Sequence, residues 1–188
     1  MKILARPLIL LIALTVSSGT YSPLMASPQL DLLTAVEKQN MEELSDLLSK
    51  GVSPNTRMKS SGLPAIVIAA DGASLKVMKL LLENGAKPDL ADRNRGETAL
   101  MKRSVVGDID MIQLLLAHGA DPNRADIAQE TALMKAVRGR KFKAAQILLE
   151  AGADPNVQDL TGKTALEYAK LGRSRRFVRL LQDAGATY

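Results

Sequence analysis

Thr98-Ala99-Leu100-Met101 decides the fold, because it returns letter for letter as Thr131-Ala132-Leu133-Met134 and, loosened, as Thr164-Ala165-Leu166. Successive threonines are 33 residues apart, and each lies 21 residues before a Gly-Ala pair that follows an apolar run. A fixed period of roughly 20 to 50 residues is typical of proteins built from stacked structural repeats. The chain is therefore predicted to be a repeat protein.

The Gly-Ala closings extend this pattern toward the N-terminus. Gly119-Ala120-Asp121-Pro122-Asn123 and Gly152-Ala153-Asp154-Pro155-Asn156 agree closely, while Gly85-Ala86-Lys87-Pro88-Asp89 and Gly51-Val52-Ser53-Pro54-Asn55 are weaker copies, each 34 residues before the next. Proline after the closing glycine stops the helix and begins a loop. We therefore predict five repeats, at about 28–59, 60–92, 93–125, 126–158 and 159–188.

At these residues the chain resembles the ankyrin-repeat family, whose repeats open with T-P-L-H-x-A and close with L-L-x-x-G-A-D; here Ala replaces Pro and Met replaces His. The resemblance implies an all-α fold over residues 27–188, a solenoid of about five helix-turn-helix repeats joined by hairpin loops. It also implies that each opening threonine caps a first helix with its hydroxyl group. Leucines of neighbouring repeats would then form one continuous core.

Three local features qualify this pattern. Arg103 stands where other repeats have a small alanine, which predicts either a displaced first helix or a guanidinium that reaches the surface along its stem. Gln129 replaces the hairpin glycine of the other repeats and predicts a different turn there. A glycine between the two helices is predicted to end each first helix in the left-handed conformation, at Gly72, Gly107, Gly139 and Gly172.

Residues 1–26 have the pattern of a secretory signal peptide. Lys2 and Arg6 precede an apolar run from residue 8 to 16, and small polar residues follow it. A membrane anchor is the alternative, but nine apolar residues fall short of the ~20 that a spanning helix needs. Cleavage is expected after Ala26 or after Gly19. The mature protein is therefore expected to be periplasmic or secreted.

Composition argues against catalysis and against metal binding. The 188 residues contain no cysteine, which excludes disulfides, thiolate metal sites and a lipid-bearing cysteine. The single histidine, His118, precedes Gly119 at a predicted helix end and is interpreted as a surface residue. Carboxylate pairs recur only in hairpins or at helix starts. The sequence therefore predicts a protein that is not an enzyme and that has no cofactor and no catalytic or metal site.

The two terminal repeats are predicted to be polar caps, because each has one face without a neighbour. The first, around residues 30–50, is strongly acidic. The last carries four arginines before its closing leucines, namely Arg173, Arg175, Arg176 and Arg179. An alternative function follows from these arginines, namely binding of anionic surfaces such as nucleic acid or lipid headgroups. The net charge of +5, about +3 without the leader, is too mild to require nucleic acid.

The ankyrin resemblance implies that a partner protein contacts the hairpins and the exposed side of the first helices, which line a concave face. Carried over position by position, the candidate partner-binding residues are Arg95, Glu97, Lys102, Arg103, Glu130, Lys135, Arg138, Lys163 and Tyr168. Lys102, Arg103, Lys135 and Arg138 are predicted to form one exposed basic patch. Val106 and Leu171 add apolar side chains near the ends of first helices.

The predicted function is a non-catalytic protein–protein interaction module in the periplasm. Two roles fit the resemblance, namely neutralisation of a toxin or lipase, and assistance to a partner enzyme such as a catalase. The partner is expected to be another protein, without nucleic acid and without stable membrane insertion. The chain itself is expected to be a monomer.

Overall fold

A computed structural model describes residues 27–187, and the predicted leader lies outside them. Over this range the chain forms ten α-helices in five consecutive pairs, with two isolated β-bridges in place of strands. The predicted all-α solenoid of about five helix-turn-helix repeats is therefore confirmed. The helices are α1 (Pro28–Glu37), α2 (Met41–Ser49), α3 (Ala65–Asp71), α4 (Leu75–Glu83), α5 (Ala99–Val106), α6 (Ile109–Ala117), α7 (Ala132–Arg138), α8 (Phe142–Glu150), α9 (Ala165–Leu171) and α10 (Arg175–Asp183).

The opening threonines cap the first helices as predicted. The hydroxyl oxygen of Thr98 accepts a hydrogen bond from the Met101 amide at 3.3 Å, and Thr131 accepts one from Met134 at 3.4 Å. Thr164 and Glu167 cap each other's backbone amides reciprocally. Each threonine satisfies an amide that the first helical turn leaves unpaired, which is why the helix starts there.

The core lies between successive repeats. The first helices pack side by side in the order α1, α3, α5, α7, α9, and the second helices flank them in the same order. Leu100, Leu133 and Leu166 are each at most 1% exposed at equivalent places in three first helices. Stability therefore depends on contacts between neighbouring repeats.

No helix within residues 27–187 is long and apolar enough to span a bilayer.

Asparagines after the Gly-Ala closings tie each repeat to the next. The Asn55 side chain donates to the Gly85 carbonyl at 3.2 Å and accepts from the Lys87 amide at 2.8 Å. Asn123 and Asn156 each make the same pair of bonds to the repeat that follows them. Asp89 takes this place in the second repeat, where it accepts from the Asp121 amide at 3.0 Å but has no N–H to donate.

A buried aspartate organises each of the last three hairpins. Asp92 accepts hydrogen bonds from three backbone amides of its own loop, and Asp126 and Asp159 each accept two. Burial opposes ionisation of Asp92, but the amides of Arg95, Asn94 and Glu97 outweigh it and hold the pKa of Asp92 below its usual value. These turns fix the position of the loop that precedes each first helix.

Two conformational predictions are wrong. Among the four inter-helix glycines, only Gly107 is left-handed; at Gly139 φ is −72°, and the left-handed residue is Arg140. Gly139 is required by space instead, because an added Cβ atom would lie 2.4 Å from the Val105 carbonyl oxygen. Gln129 has a φ of 59°, in the same region as the hairpin glycines. Its turn repeats the one at Gly162, where the amide also bonds to the carbonyl three residues earlier, while the turns at Gly62 and Gly96 are one residue longer, so the glutamine itself does not change the turn.

Arg103 keeps the alanine position of α5, because its carbonyl accepts from the Asp108 amide as the Ala136 carbonyl accepts from the Lys141 amide. Helix α5 has eight residues, where α3, α7 and α9 have seven, because one residue is added at its C-terminal end. Ser104 is buried like the residues at the same place in α3 and α7, and its hydroxyl donates to the Leu100 carbonyl at 2.7 Å. The Arg103 side chain is only 11% exposed and lies 3.7 Å from Asp108. Its guanidinium does not escape to the surface.

Candidate functional site

The hairpins and the exposed side of the first helices bring the predicted residues onto one surface, which we call the groove surface. It is formed by α5, α7 and α9 with the hairpins that precede them. Side chains from adjacent repeats meet across it, since Lys135 of α7 reaches Glu97 in the hairpin before α5 at 2.9 Å. The sequence prediction therefore grouped residues that lie together in space.

Lys135 is the centre of a buried ionic cluster and is not an exposed lysine. Its Nζ lies 2.8 Å from Asp126, 2.9 Å from Glu97 and 3.1 Å from Glu130, and its side chain is 10% exposed. The three carboxylates are similarly covered, with exposures of 5%, 15% and 13%. We call these four residues the Lys135 cluster.

Two opposing effects act on the charge of Lys135. Burial disfavours the ammonium form, but hydrogen bonds to Asp126, Glu97 and Glu130 outweigh it, so the pKa of Lys135 is raised above its usual value. The lysine therefore stays charged at any physiological pH. The charge of Lys135 is neutralised within the protein, because three carboxylates surround one ammonium group.

The prediction of a single basic patch is wrong for this reason. Lys102 lies 2.9 Å from Asp71, Arg103 pairs with Asp108, and Arg138 pairs with Glu130. Every cation of the proposed patch thus has an acidic neighbour. The surface carries alternating charge, and a role for Lys102, Arg103 and Lys135 in partner binding stays a prediction.

Arg138 and Tyr168 form a cation–aromatic pair on the groove surface. The Arg138 guanidinium carbon lies 5.3 Å from the centre of the Tyr168 ring, and its side chain is 49% exposed. The Tyr168 hydroxyl donates to the Asp159 carboxylate, which holds the ring in place and raises the pKa of Tyr168. For Asp159, burial acts in the opposite direction, but the Tyr168 and Thr161 hydroxyls keep its pKa low. A cation stacked on a fixed aromatic ring is a common feature of binding surfaces.

Arg138 lies between two neighbouring cavities and lines both. One, of about 390 Å³, includes Arg95, Glu97, Glu130 and Val105 in its wall. The other, of about 350 Å³, includes Arg140, Tyr168 and Leu171. Val105 and Leu171 are 41% and 66% exposed, so each cavity combines a guanidinium with an uncovered apolar side chain. Val105 lines the first cavity, whereas its neighbour Val106 was the apolar residue predicted for this surface.

The remaining predicted residues lie in the hairpins. Arg95 is exposed and has no ion pair within the described part of the chain, whereas Glu97 and Glu130 are mostly covered. Lys163 donates to the Thr161 hydroxyl at 2.9 Å. Sequence reasoning missed Ile127 and Leu160, which project from hairpins and are 63% and 72% exposed. An apolar residue directly after the buried aspartate was the available signal.

The C-terminal arginines are divided between two surroundings. The Arg176 guanidinium carbon lies 3.6 Å from the centre of the Phe142 ring and thus packs on the preceding repeat. Arg173, Arg175 and Arg179 are exposed and line a shallow cavity of about 640 Å³ at the end of the solenoid. Within residues 27–187, no acidic side chain pairs with these three.

Comparisons with known proteins identify the family to which the chain belongs. A comparison with curated protein sequences gives no significant match. Residues 32–126 and 107–188 match the family model described as ankyrin repeats (3 copies), so the match extends over most of the chain. The match agrees with the threonine caps, the paired helices and the stacked core seen in the structure. The chain belongs to the ankyrin-repeat family, and ankyrin repeats indicate a protein–protein interaction module.

Proposed function

We propose that this protein is a non-catalytic binding module of the periplasm or the extracellular space, and that its partner is a protein bound on the groove surface. The observation that carries the proposal is the position of Arg138, held on the Tyr168 ring between two cavities. The partner would pair a carboxylate with Arg95, contact the exposed side of the Arg138 guanidinium, which Glu130 already neutralises, and cover Val105 and Leu171 with apolar side chains. Neutralisation of a toxin or lipase and assistance to an enzyme are the two roles proposed.

The groove surface suits this task because its scaffold is rigid while its binding groups are open. Asp159 and the Lys135 cluster fix the hairpins and the first helices, since buried ion pairs and hydrogen bonds break at a high energetic cost. Exposed side chains on such a scaffold lose little conformational freedom when a partner binds. Aromatic and arginine side chains also contribute most to protein–protein affinity.

The test is affinity capture from extracts of the cells that produce the protein, followed by binding measurements with the purified partner. Arg138→Glu should weaken binding at least tenfold, because reversal of one central charge adds repulsion to the loss of a contact. Lys143→Glu is the matched control, because Lys143 is an exposed cation of α8 that lines neither groove cavity. Equal affinity of the Arg138→Glu variant and the wild type would refute the proposed site.

Export is the second part of the proposal, and it rests on the basic, apolar and small-residue order of residues 1–26. A fusion of residues 1–30 to a reporter enzyme that is active only outside the cytoplasm should give activity. Replacement of Leu10 and Leu11 by Arg should abolish it, because a charged pair interrupts the apolar run. Absence of activity, with the fusion protein recovered from the cytoplasmic fraction, would contradict the leader assignment.

A further inference from the structure

The two ends of the solenoid are open stacking faces with opposite charge. The first helix pair, residues 27–50, has five acidic and two basic side chains, a net charge of −3. The last pair, residues 165–187, has two acidic and five basic side chains, a net charge of +3. Polar ends keep a repeat protein soluble, but solubility alone does not require that the two ends have opposite signs.

The acidic residues lie on the face where a preceding repeat would stack. Glu43 is exposed in α2, while its equivalents in α4, α6, α8 and α10 are buried against the preceding pair, at 0%, 0%, 0% and 5% exposure. Asp31 likewise takes the place of alanines that are at most 2% exposed in the four later first helices. Residues at the place of Asp46 are half-buried or buried in the later second helices, whereas those at the place of Glu42 are exposed, so Glu42 lies at the edge. We call the face that carries Asp31, Glu43 and Asp46 the acidic end.

Arg173 and Arg175 lie on the face where a following repeat would stack, and Arg179 lies at its edge, because residues at the same place in α2, α4 and α6 are exposed. Arg173 occupies the loop position of Gln39 and Arg140, whose side chains donate to the carbonyls of Gly72 and Gly172 in the next repeat at 3.1 Å and 3.4 Å. Within residues 27–187 no further repeat follows Arg173. Arg175, Arg179 and the half-buried Val178 line the adjoining cavity. We call the face that carries Arg173, Arg175 and Arg179 the basic end.

We infer that the basic end of one molecule binds the acidic end of a second copy of this chain, so that the protein forms head-to-tail chains. The contact extends the solenoid, with the carbonyl of Lys38 in the second copy taking the place that Gly72 and Gly172 have within one chain. Such an interface is heterologous, because two different faces meet, and it leaves a free face at each end for further growth. The expectation of a monomer is replaced by this inference.

Charge complementarity makes a second copy the favoured occupant of the basic end. The terminal helix pairs carry net charges of −3 and +3, so they attract each other, and the stacking geometry is already present within the chain. The alternative occupants are nucleic acid and an anionic membrane, and neither would explain the matching acidic end.

The test is sedimentation velocity of the purified protein from micromolar to millimolar concentration, at about 0.01 M and about 1 M salt, where the screening length is about 30 Å and about 3 Å. The average mass should rise with concentration beyond that of a dimer at low salt and fall toward the monomer at high salt. A protein that stays monomeric at millimolar concentration and low salt overturns the inference.

Charge reversal assigns the faces. Glu43→Lys with Asp46→Lys gives two basic ends, and Arg175→Glu with Arg179→Glu gives two acidic ends. Each double variant alone should associate at least ~10-fold more weakly than the wild type, whereas an equimolar mixture of the two should associate again, because opposite ends are then present. Lys76→Glu with Lys143→Glu changes exposed cations of α4 and α8 by the same net charge and should leave association unchanged.

Two further results would overturn the inference. One is a mixture of the two end variants that stays monomeric while each variant keeps its helical circular dichroism. The other is binding of vesicles with anionic phospholipid, or of a DNA oligonucleotide, that requires Arg175 and Arg179 while the protein itself stays monomeric. The second result would assign the basic end to a different class of partner.

Discussion

Replacing Lys135 by methionine should destabilise the protein by about 3–5 kcal/mol, since this is the usual cost of removing one partner from a buried ionic contact. The lysine side chain is 10% exposed, and its ammonium group lies within 3.1 Å of three carboxylates. Methionine fills a similar volume, so the loss is electrostatic: it leaves Asp126 and Glu97 without a cation and Glu130 with Arg138 alone. For a domain of this size, the same loss lowers Tm by roughly 6–20 °C.

The control is Lys102→Met, which changes the equivalent residue one repeat earlier. Lys102 has one acidic partner, Asp71, whose side chain is 48% exposed and therefore well solvated. Loss of that pair should cost no more than about 1 kcal/mol. Urea unfolding followed by circular dichroism at constant pH gives both free energies. Equal effects of the two substitutions would refute the claim that Lys135 is a buried structural centre.

The pH dependence gives an independent test of the same cluster. The pKa of Lys135 is raised in the folded protein, so its stabilising contribution is complete below the ordinary lysine value and is lost as pH rises through the folded value. The stability difference between wild type and Lys135→Met should therefore be constant from neutral pH up to the ordinary lysine pKa of about 10.4 and should shrink as pH rises above it. In Lys135→Met the three carboxylates repel each other. Glu97→Gln with Glu130→Gln should therefore restore part of the lost stability at neutral pH.

The remaining predictions concern the asparagine contacts and the last repeat. Asp89→Asn should stabilise the protein by about 1 kcal/mol at neutral pH, because the amide restores the missing donor toward Gly119. Burial raises the pKa of Asp89, so its charged form opposes folding. The gain in the free energy of unfolding, measured with urea, should therefore grow as pH rises from about 3 to 7. Asn123→Asp should lower the free energy of unfolding instead. Removing residues 160–188 should expose the apolar side of α8 and cause aggregation, which light scattering measures. A truncated protein that stays soluble and unfolds cooperatively would argue against the assignment of the last repeat as a cap.

The repeat architecture could be predicted because its signals are local and periodic. An opening threonine caps the helix that directly follows it, and Gly-Ala with proline ends a helix wherever it occurs. Arg103 was also recognisable, since it is one large residue at a place where the other repeats have alanine. The precise turn geometry was not, because in three of the four glycine-containing loops between paired helices the left-handed residue is an alanine or an arginine that follows the glycine, and these residue types rarely adopt that conformation.

The electrostatics of the site could not be predicted in the same way. Lys135 is covered because Glu97, 38 residues earlier, and two residues of its own repeat converge on it. Periodicity places these residues on one surface, but it does not show which charges neutralise each other. The sequence predicted only that Lys135 faces the groove, and the distances from its Nζ to the three carboxylates show the cluster. Exposed Ile127 and Leu160 were missed because the resemblance directed attention to other hairpin positions.

Site-specific photo-crosslinking in the cells that produce the protein tests the central claim most directly. A photoreactive amino acid at Leu171, which is 66% exposed beside Arg138 and Tyr168, should yield a discrete covalent adduct with one partner protein. The same amino acid at Lys143, an exposed residue of α8, should yield none. An adduct that forms from position 143 and not from position 171 would contradict the groove surface as the binding site.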